Sequence, residues 1–464
     1  MTVYRFLISR NPLLKCLVGL ILILIFTSIG VLQSAITHHK EAPTLGVQIM
    51  GIRPFADSWN NIHTFLTFDY DIANSAAVAS RYDFVWGAEP SHVTALHAAN
   101  PNIFLTYYIP FHRDFGTYST TGTPLSPGYW KSVHPDWVLY KCDRRTPAYE
   151  YGMPNMPLAF SNPAVIAWQI ATYALPASAY GYDGIAADNL DLQNSFGACG
   201  SYQGGKWVQR YTGQSNDPTW STDVVNWLTQ MQSALHSLSH PLALIPNLSG
   251  ISPGDPMMTQ VLNHIDGVLD ERGFTSWGDG HLTGAQWVQS IGLMELVQQQ
   301  NKPYFGINLF HKVTPAGIQW ALASYLMGKE HAAALFISTV NRYGSDAWRS
   351  EYSALIGSPK GAMYQAQNVY WRSYSGGVSI VNPSATRSYT IILSPGYHYV
   401  DLSGNVVGPT IMMAPHSGNV LLSTSNGASR SKGIPYRRRT SDSPLDSNSG
   451  RGRRLPGGQA PSVS

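Results

Sequence analysis

Residues 182–191 (YDGIAADNLD) combine a turn, an apolar run and two carboxylates in the pattern of a buried strand that ends in polar side chains. Asp183 and the glycine after it indicate the turn, and the apolar run that follows has the length of a strand. Asp188 and Asp191 lie where that strand should stop. We therefore expect two acids at one strand end.

Residues 265–273 (IDGVLDERG) repeat this pattern. Glu271 lies five residues after the turn aspartate Asp266, the same offset that Asp188 has from its own turn aspartate. Because side chains alternate across a strand, equal offsets predict that Asp188 and Glu271 face the same way and that Asp270 faces the opposite side.

Two carboxyl groups that converge from two parallel strand ends are what hydrolysis of a glycosidic bond requires. One serves as nucleophile or base, here Asp188, and the other as general acid, here Glu271. The alternative is that each Asp-Gly pair only turns the chain into a strand and that the acids cap the next helices.

The elements that must position these acids alternate between strand and helix over about 300 residues, which predicts an α/β fold with a (β/α)8 TIM barrel at residues 44–357. A doubly wound open sheet is the alternative, but no glycine-rich phosphate loop follows the first predicted strand. The predicted strands are residues 45–52, 82–87, 103–110, 184–189, 242–248, 267–271, 304–310 and 333–339.

The composition changes after residue 357. Short apolar stretches separated by Gly, Pro, Asn and Ser predict a small antiparallel β-sandwich domain at residues 358–424. Residues 425–464 are rich in Ser, Gly, Pro and Arg and show no apolar period, which predicts a disordered basic tail that the folded body does not need.

Active sites of such barrels lie at the carboxyl ends of the strands, so polar and aromatic residues there are candidates for substrate binding. Amides could bind sugar hydroxyls, an arginine beside Glu271 could hold a carboxylate ionised, and any of these side chains could instead cap a helix. The candidates are Trp86, Tyr107, Tyr108, His112, Asn189, Asp191, Asn247, Arg272 and Asn308.

Composition limits the function classes. Hydrophobic content of 44% and charged content of 12% predict a folded protein, and 13 Trp with 26 Tyr would suit a surface that stacks on sugars. The net charge of +3 comes from the two ends of the chain, and the body between them is acidic. An acidic body argues against a nucleic-acid binder.

The N-terminal segment, residues 1–35, has bases followed by a 17-residue apolar run at residues 16–32. This predicts a signal peptide or a signal anchor, with the body outside the membrane. In an exported body Cys142 and Cys199 could form one disulfide, although two free thiols are equally compatible with the sequence. No cysteine spacing resembles a zinc site, and we expect no metal and no obligatory cofactor.

The stretches GYDGIAADN at residues 181–189 and IDGVLDERG at residues 265–273, with the β domain that follows the barrel, resemble hypothetical glycosyl hydrolase family 15. More distantly they resemble endo-acting polygalactosaminidase-type barrels. The resemblance covers about residues 44–425 and implies an activity class rather than a substrate.

We therefore expect a secreted or membrane-anchored glycoside hydrolase that acts on an extracellular or cell-surface polysaccharide. The alternatives are a non-catalytic sugar-binding barrel and a structural cell-surface protein that uses the barrel as a scaffold. Two opposed acids favour the enzyme, since a binder needs no such pair. The sugar, the linkage, endo or exo action and the stereochemical outcome stay open at this stage.

Overall fold

The structure is a computed structural model that describes residues 53–116, 124–248 and 251–425. Within those ranges no helix has the length and apolar character needed to cross a membrane. The apolar run at residues 16–32, the first predicted strand at residues 45–52 and the basic tail from residue 426 onward lie outside the described residues.

Eight parallel strands form one sheet in the order β5-β4-β3-β2-β1-β8-β7-β6. The outermost strands, β5 and β6, meet through a parallel bridge between Asn247 and Leu269, which nearly closes the sheet into a barrel. This confirms the predicted (β/α)8 fold. The strands are β1 His63–Thr67, β2 Phe84–Trp86, β3 Phe104–Pro110, β4 Gly184–Asp188, β5 Ala243–Pro246, β6 Val268–Asp270, β7 Tyr304–Phe310 and β8 Ala333–Thr339.

Helices connect successive strands, and several begin at a side chain that accepts a backbone N–H, such as Asn162 and Asp217. Proline follows both of these caps, where its missing N–H costs nothing. The helices are α1 Ser75–Ala79, α2 Pro90–Ala99, α3 (Pro163–Gln169, Ile170–Ala174 and Leu175–Tyr180 in succession), α4 Pro218–His236, α5 Met258–Asn263, α6 Gly284–Gln299 and α7 Pro315–Gly328.

The first strand of the eight-stranded sheet is His63–Thr67, which the sequence analysis did not predict. The sequence of this strand is HTFLT, and its three polar residues make it less apolar than the stretches that were predicted as strands. All five residues are buried. His63 Nδ1 lies 2.7 Å from Asp83, and the Thr64 hydroxyl donates to the Arg81 carbonyl at 2.8 Å, whereas His63 Nε2 and the Thr67 hydroxyl have no hydrogen-bond partner among the described residues. Paired polar groups can be buried without a large penalty.

Aromatic rings fill the amino-terminal end of the barrel. Phe84 and Phe305 lie 4.1 Å apart between centroids, and Phe65 lies 5.5 Å from Phe305. Phe55, which precedes β1, stacks on Phe104 at 4.0 Å. The barrel is therefore a packed core whose functional surface must lie at the opposite, carboxyl end.

Two antiparallel sheets follow the barrel, as predicted for a β-sandwich. One has the order β9-β10-β11-β16-β13-β14, and the other pairs β12 with β15. Val369, Ile380, Ile391 and Met413 belong to the apolar core between them. The strands are β9 Tyr364–Ala366, β10 Val369–Tyr374, β11 Gly377–Asn382, β12 Tyr389–Ile392, β13 Tyr397–Val400, β14 Val406–Val407, β15 Thr410–Met413 and β16 Ser417–Ser425.

The sandwich packs on helix α7. Arg372 is 1% exposed and donates to the carbonyls of Leu326, Met327 and Lys329 at the end of that helix. These three bonds use Nη1, and Nη2 of Arg372 lies 2.7 Å from the carboxylate of Glu330. These bonds satisfy a buried cation and join the sandwich to the barrel.

The connections on either side of β4 carry structure of their own. They contain a short helix, Pro127–Val133, and a three-stranded sheet of Tyr140–Lys141, Ala198–Gln203 and Lys206–Gln209. A disulfide joins Cys142 to Cys199 across 57 residues, which settles the pairing that the sequence left open. These segments sit beside the end of β4 and contribute to the site.

Candidate active site

The two Asp-Gly turns set the register of the strands that carry the acids. At β4, the Asp183 carboxylate accepts the backbone N–H of Leu105 on β3 at 2.9 Å. At β6, the Asp266 carboxylate accepts the backbone N–H of Leu244 on β5 at 2.8 Å. Each turn aspartate thus binds the neighbouring strand in the same way, which explains why equal offsets lead to equivalent positions at the other end of the barrel.

Asp188 and Glu271 converge on one side chain, Asn247 at the end of β5. The Asn247 Nδ2 group donates to Asp188 Oδ1 at 3.0 Å and to Glu271 Oε2 at 2.8 Å. The two carboxylate oxygens therefore lie within about 6 Å of each other, because each is bonded to the same nitrogen. Strand β5 lies between β4 and the bridge to β6, so it is the element that can hold both acids.

A tyrosine holds the second oxygen of each acid. The Tyr108 hydroxyl, on β3, donates to Asp188 Oδ2 at 2.8 Å, and the Tyr343 hydroxyl, after β8, donates to Glu271 Oε1 at 2.7 Å. Burial, and then the adjacent carboxylate, raises the pKa of both phenols well above 10, so both remain protonated donors. Each acid is thus fixed by one amide and one phenol.

Glu271 has the electrostatics of a general acid. Burial, and next the negative charge of Asp188, raises the pKa of Glu271 to about 7, against the hydrogen bonds from Tyr343 and Asn247 that lower it. With this pKa, the Glu271 carboxyl group is protonated in a large fraction of the protein molecules near neutral pH. A positioned acid whose pKa lies near the working pH is the most effective proton donor.

Asp270 is turned away from this pair. It is 3% exposed and accepts the Tyr304 hydroxyl at 2.7 Å and the backbone N–H groups of Arg272 and Gly273. Burial raises the pKa of Asp270, and the charge of Arg272 opposes that rise. The positive charge of Arg272 thus acts on Asp270, whereas the sequence analysis gave Arg272 as a substrate-binding candidate that could hold a carboxylate ionised.

Three further predicted binding residues lie near the acids: Tyr108 and Asn247 bind them directly, and Asn189 Nδ2 lies 3.4 Å from Asp188 Oδ2. Asp191 is held by the Ser195 hydroxyl and the Gln193 backbone N–H and is partly buried. Of these four residues, Tyr108, Asn247 and Asn189 lie against the pair.

Four predicted binding residues are not on the open surface. Trp86 is 2% exposed and donates its Nε1–H to the Ile245 carbonyl, and Tyr107 is 6% exposed. His112 is 1% exposed, and burial lowers its pKa to about 3. Asn308 is 0% exposed and accepts the Phe274 backbone N–H. Trp86 ends β2 and His112 follows β3, whereas Tyr107 and Asn308 lie inside β3 and β7, and position alone does not tell which side chain reaches solvent.

Sequence reasoning missed the residues that loops bring to the site. Tyr343 reaches Glu271 from 72 residues away in the chain. Glu150, in the β3–α3 connection, is 0% exposed and lies 2.5 Å from Arg113 Nε. Burial raises the pKa of Glu150 to about 7 against the pull of Arg113, and the charge of Asp188 adds to the rise. No local pattern marks these residues, since only the folded loops bring them together.

In the described ranges, no group of three or more His, Cys, Asp or Glu side chains could hold a metal ion. The site itself presents carboxyl, amide and phenol groups. Among these, Asp188 and Glu271 are the two carboxyl groups that share the Asn247 amide, and a pair of carboxyl groups is what glycosidic hydrolysis uses.

Comparison with solved structures finds sugar-active barrels at low identity. A maltogenic α-amylase from Thermotoga neapolitana is 11% identical, covers 79% of this chain and 99% of its own, and has a TM-score of 0.44. A β-L-arabinopyranosidase from Geobacillus stearothermophilus is 9% identical, covers 83% and 100%, and has a TM-score of 0.46. An α-amylase from Malbranchea cinnamomea is 11% identical, covers 78% and 96%, and has a TM-score of 0.42.

Comparison by sequence identifies the family. No curated protein matches the chain. Residues 97–378, which include both acids and the amide between them, match hypothetical glycosyl hydrolase family 15. Because that match spans more than half of the chain, the protein belongs to hypothetical glycosyl hydrolase family 15, and its enzyme class is that of the glycosidases.

Proposed function

We propose that the protein hydrolyses glycosidic bonds of an extracellular or cell-surface polysaccharide, with Asp188 as nucleophile and Glu271 as general acid. The observation that carries the proposal is the Asn247 amide, which bonds to both carboxylates and holds Asp188 Oδ1 within about 6 Å of Glu271 Oε2. A separation of about 5–5.5 Å is typical of retaining glycosidases, whereas inverting enzymes need about 6.5–9.5 Å to admit a water molecule.

In the first step, Glu271 transfers its proton to the glycosidic oxygen while Asp188 attacks the anomeric carbon. The bond between that carbon and the oxygen breaks, the leaving sugar departs as an alcohol, and a glycosyl ester forms on Asp188. The pKa of Glu271, raised to about 7, supports its role as the donor.

In the second step, Glu271 is a carboxylate and takes a proton from water as the water oxygen attacks the anomeric carbon. The ester bond breaks and Asp188 returns as a carboxylate. The Asn247 amide and the Tyr108 hydroxyl, both bonded to Asp188, stabilise that charge whenever it is present.

The disulfide between Cys142 and Cys199 supports the proposal that the protein acts outside the cell, either secreted or anchored at the outer face of the membrane. Disulfides persist in oxidising compartments and are rare in the cytosol. The N-terminal segment, in which basic residues precede an apolar run, also supports export, because it could serve as a signal peptide or as an anchor.

A screen of chitosan, galactan and starch for new reducing ends tests this function. We expect the wild type to release reducing ends from at least one of them. We expect Asp188→Asn and Glu271→Gln to lose most turnover, since general acid help alone contributes about 10²–10⁴-fold. Asp270→Asn is the matched control, because it makes the same change in the same stretch on a side chain that faces away from the pair.

Melting temperatures of all three variants should be measured beside activity, so that loss of folding is not mistaken for loss of catalysis. A wild type that binds a polysaccharide without cleaving it would favour the sugar-binding alternative. An active Glu271→Gln beside an inactive, folded Asp270→Asn would show that the roles of the neighbouring acids are reversed.

A further inference from the structure

Tyr151, in the connection between β3 and α3, lies at the open edge of the acid pair. Its side chain is 51% exposed, and its hydroxyl lies 3.3 Å from Oδ1 of Asn189, the neighbour of Asp188. Its ring meets Phe196 edge-on, at 5.6 Å between centroids. Burial raises the pKa of Tyr151, and the negative charges of Glu150, Asp188 and Glu271, in decreasing order, add to the rise.

The backbone at Tyr151 is held in an unfavourable conformation. Its φ is 54°, in the left-handed region, which is strained for a residue other than glycine. The preceding residue, Glu150, is 0% exposed and bonded to Arg113, whose Nη1 also lies 3.3 Å from Asn155 Oδ1. A buried ion pair thus fixes the strained turn and the direction of the tyrosine that follows.

Tyr151 differs from the other two tyrosines of the site. Tyr108 and Tyr343 donate to the carboxylates at 2.8 and 2.7 Å, so their hydroxyls are already engaged by the acids. Tyr151 makes a longer bond to an amide oxygen and leaves half of its surface to solvent. A tyrosine ring offers an apolar face for a sugar, and its hydroxyl can bond to a sugar hydroxyl.

We propose that Tyr151 is a substrate-contacting residue that forms the sugar-binding position beside Asp188. The inference rests on the proposed hydrolysis and adds the residue that determines how tightly the polysaccharide is held there. An exposed aromatic residue by itself needs no explanation. The strained backbone and the buried ion pair beneath it do, because together they hold the ring at the opening of the acid pair.

Two variants separate the ring from the hydroxyl. Tyr151→Ala removes both, and we expect KM to rise about tenfold or more with kcat nearly unchanged, since a contact made equally before and during reaction affects KM alone. Tyr151→Phe removes only the hydroxyl, and we expect a rise of about 2- to 10-fold, as one uncharged hydrogen bond is worth. Tyr364→Ala is the matched control, because Tyr364 is 47% exposed on β9, outside the barrel.

Binding is measured independently by electrophoresis through native gels that contain chitosan, galactan or starch, with Glu271→Gln as the background so that the polysaccharide is not consumed. Adding Tyr151→Ala should abolish the retardation of the band, and adding Tyr364→Ala should leave it unchanged. The pH profile of kcat should be the same for Tyr151→Phe and the wild type. If Tyr151 instead positioned Asp188, the substitution would change that profile.

The outcomes distinguish this inference from the proposed function. If the wild type cleaves a polysaccharide and Tyr151→Ala keeps its KM and its gel retardation, the substrate contact is refuted and the function stands. If kcat falls while KM is unchanged, Tyr151 positions the acids and does not bind sugar, which also refutes the inference. If the wild type neither cleaves nor binds any of the three polysaccharides, the function fails and the inference fails with it.

Discussion

Replacing Tyr343 with Phe should shift the alkaline side of the pH–activity profile to higher pH. The Tyr343 hydroxyl donates to Glu271 Oε1 at 2.7 Å and stabilises the ionised form of that carboxyl group. Its hydrogen bond lowers the pKa of Glu271, which burial and Asp188 raise to about 7. Without the donor, Glu271 keeps its proton to higher pH and remains an active acid there.

The size of the shift follows from the strength of the bond. A hydrogen bond to a charged group contributes about 1.5–3 kcal/mol, and one pKa unit corresponds to about 1.4 kcal/mol. The alkaline midpoint should therefore move from about 7 to about 8–9. The phenylalanine ring can keep the packing of Tyr343 against Phe68 and Phe336, at 6.3 and 6.5 Å between centroids, so the fold should be preserved.

The assay is kcat/KM between pH 4 and pH 10 on whichever polysaccharide the wild type cleaves, since this profile reports the ionisations of the free enzyme. Tyr108→Phe is the matched control: it removes the equivalent phenol from Asp188 and should leave the alkaline midpoint in place. An alkaline midpoint that stays put or moves to lower pH in Tyr343→Phe would refute Glu271 as the acid.

Two stability predictions follow from the contacts around the site. The double variant Cys142→Ser with Cys199→Ser should lose about 2–4 kcal/mol of unfolding free energy in urea, because the bond closes a span of 57 residues; no loss would contradict a formed disulfide. Glu150 has a pKa of about 7 in the folded protein, against an ordinary value of 4.5 that applies to the unfolded chain. Between these two pH values the folded state keeps a proton on Glu150 that the unfolded chain releases. The unfolding free energy should therefore fall as pH rises through this window, and less steeply in Glu150→Gln; an unchanged slope would contradict the raised pKa.

Repetition in the sequence predicted the relation between the acids. Asp183 and Asp266 each bind a backbone N–H of the preceding strand, and this shared bond turns equal spacing into equivalent placement. The alternation of strands and helices predicted the barrel for a similar reason, since apolar runs at regular intervals reflect burial. Strand β1 was missed because a histidine and two threonines interrupt its apolar sequence, and the burial of such polar residues cannot be read from composition.

The residues that support the acids could not be predicted in the same way. Tyr343 and Glu150 lie in irregular connections, where no period indicates which side chain turns inward. Their positions depend on contacts between distant parts of the chain, such as the bond from Tyr343 to Glu271. For the same reason, the burial of Trp86 and Asn308 became apparent only in the folded barrel.

The configuration of the first product tests the central claim most directly. Proton NMR of the reducing ends released in the first minutes of cleavage distinguishes the two anomers before they equilibrate. Asn247 holds Asp188 Oδ1 and Glu271 Oε2 within about 6 Å of each other. This short separation predicts that the new reducing end keeps the anomeric configuration of the bond that was cleaved. A product of inverted configuration would contradict Asp188 as the nucleophile.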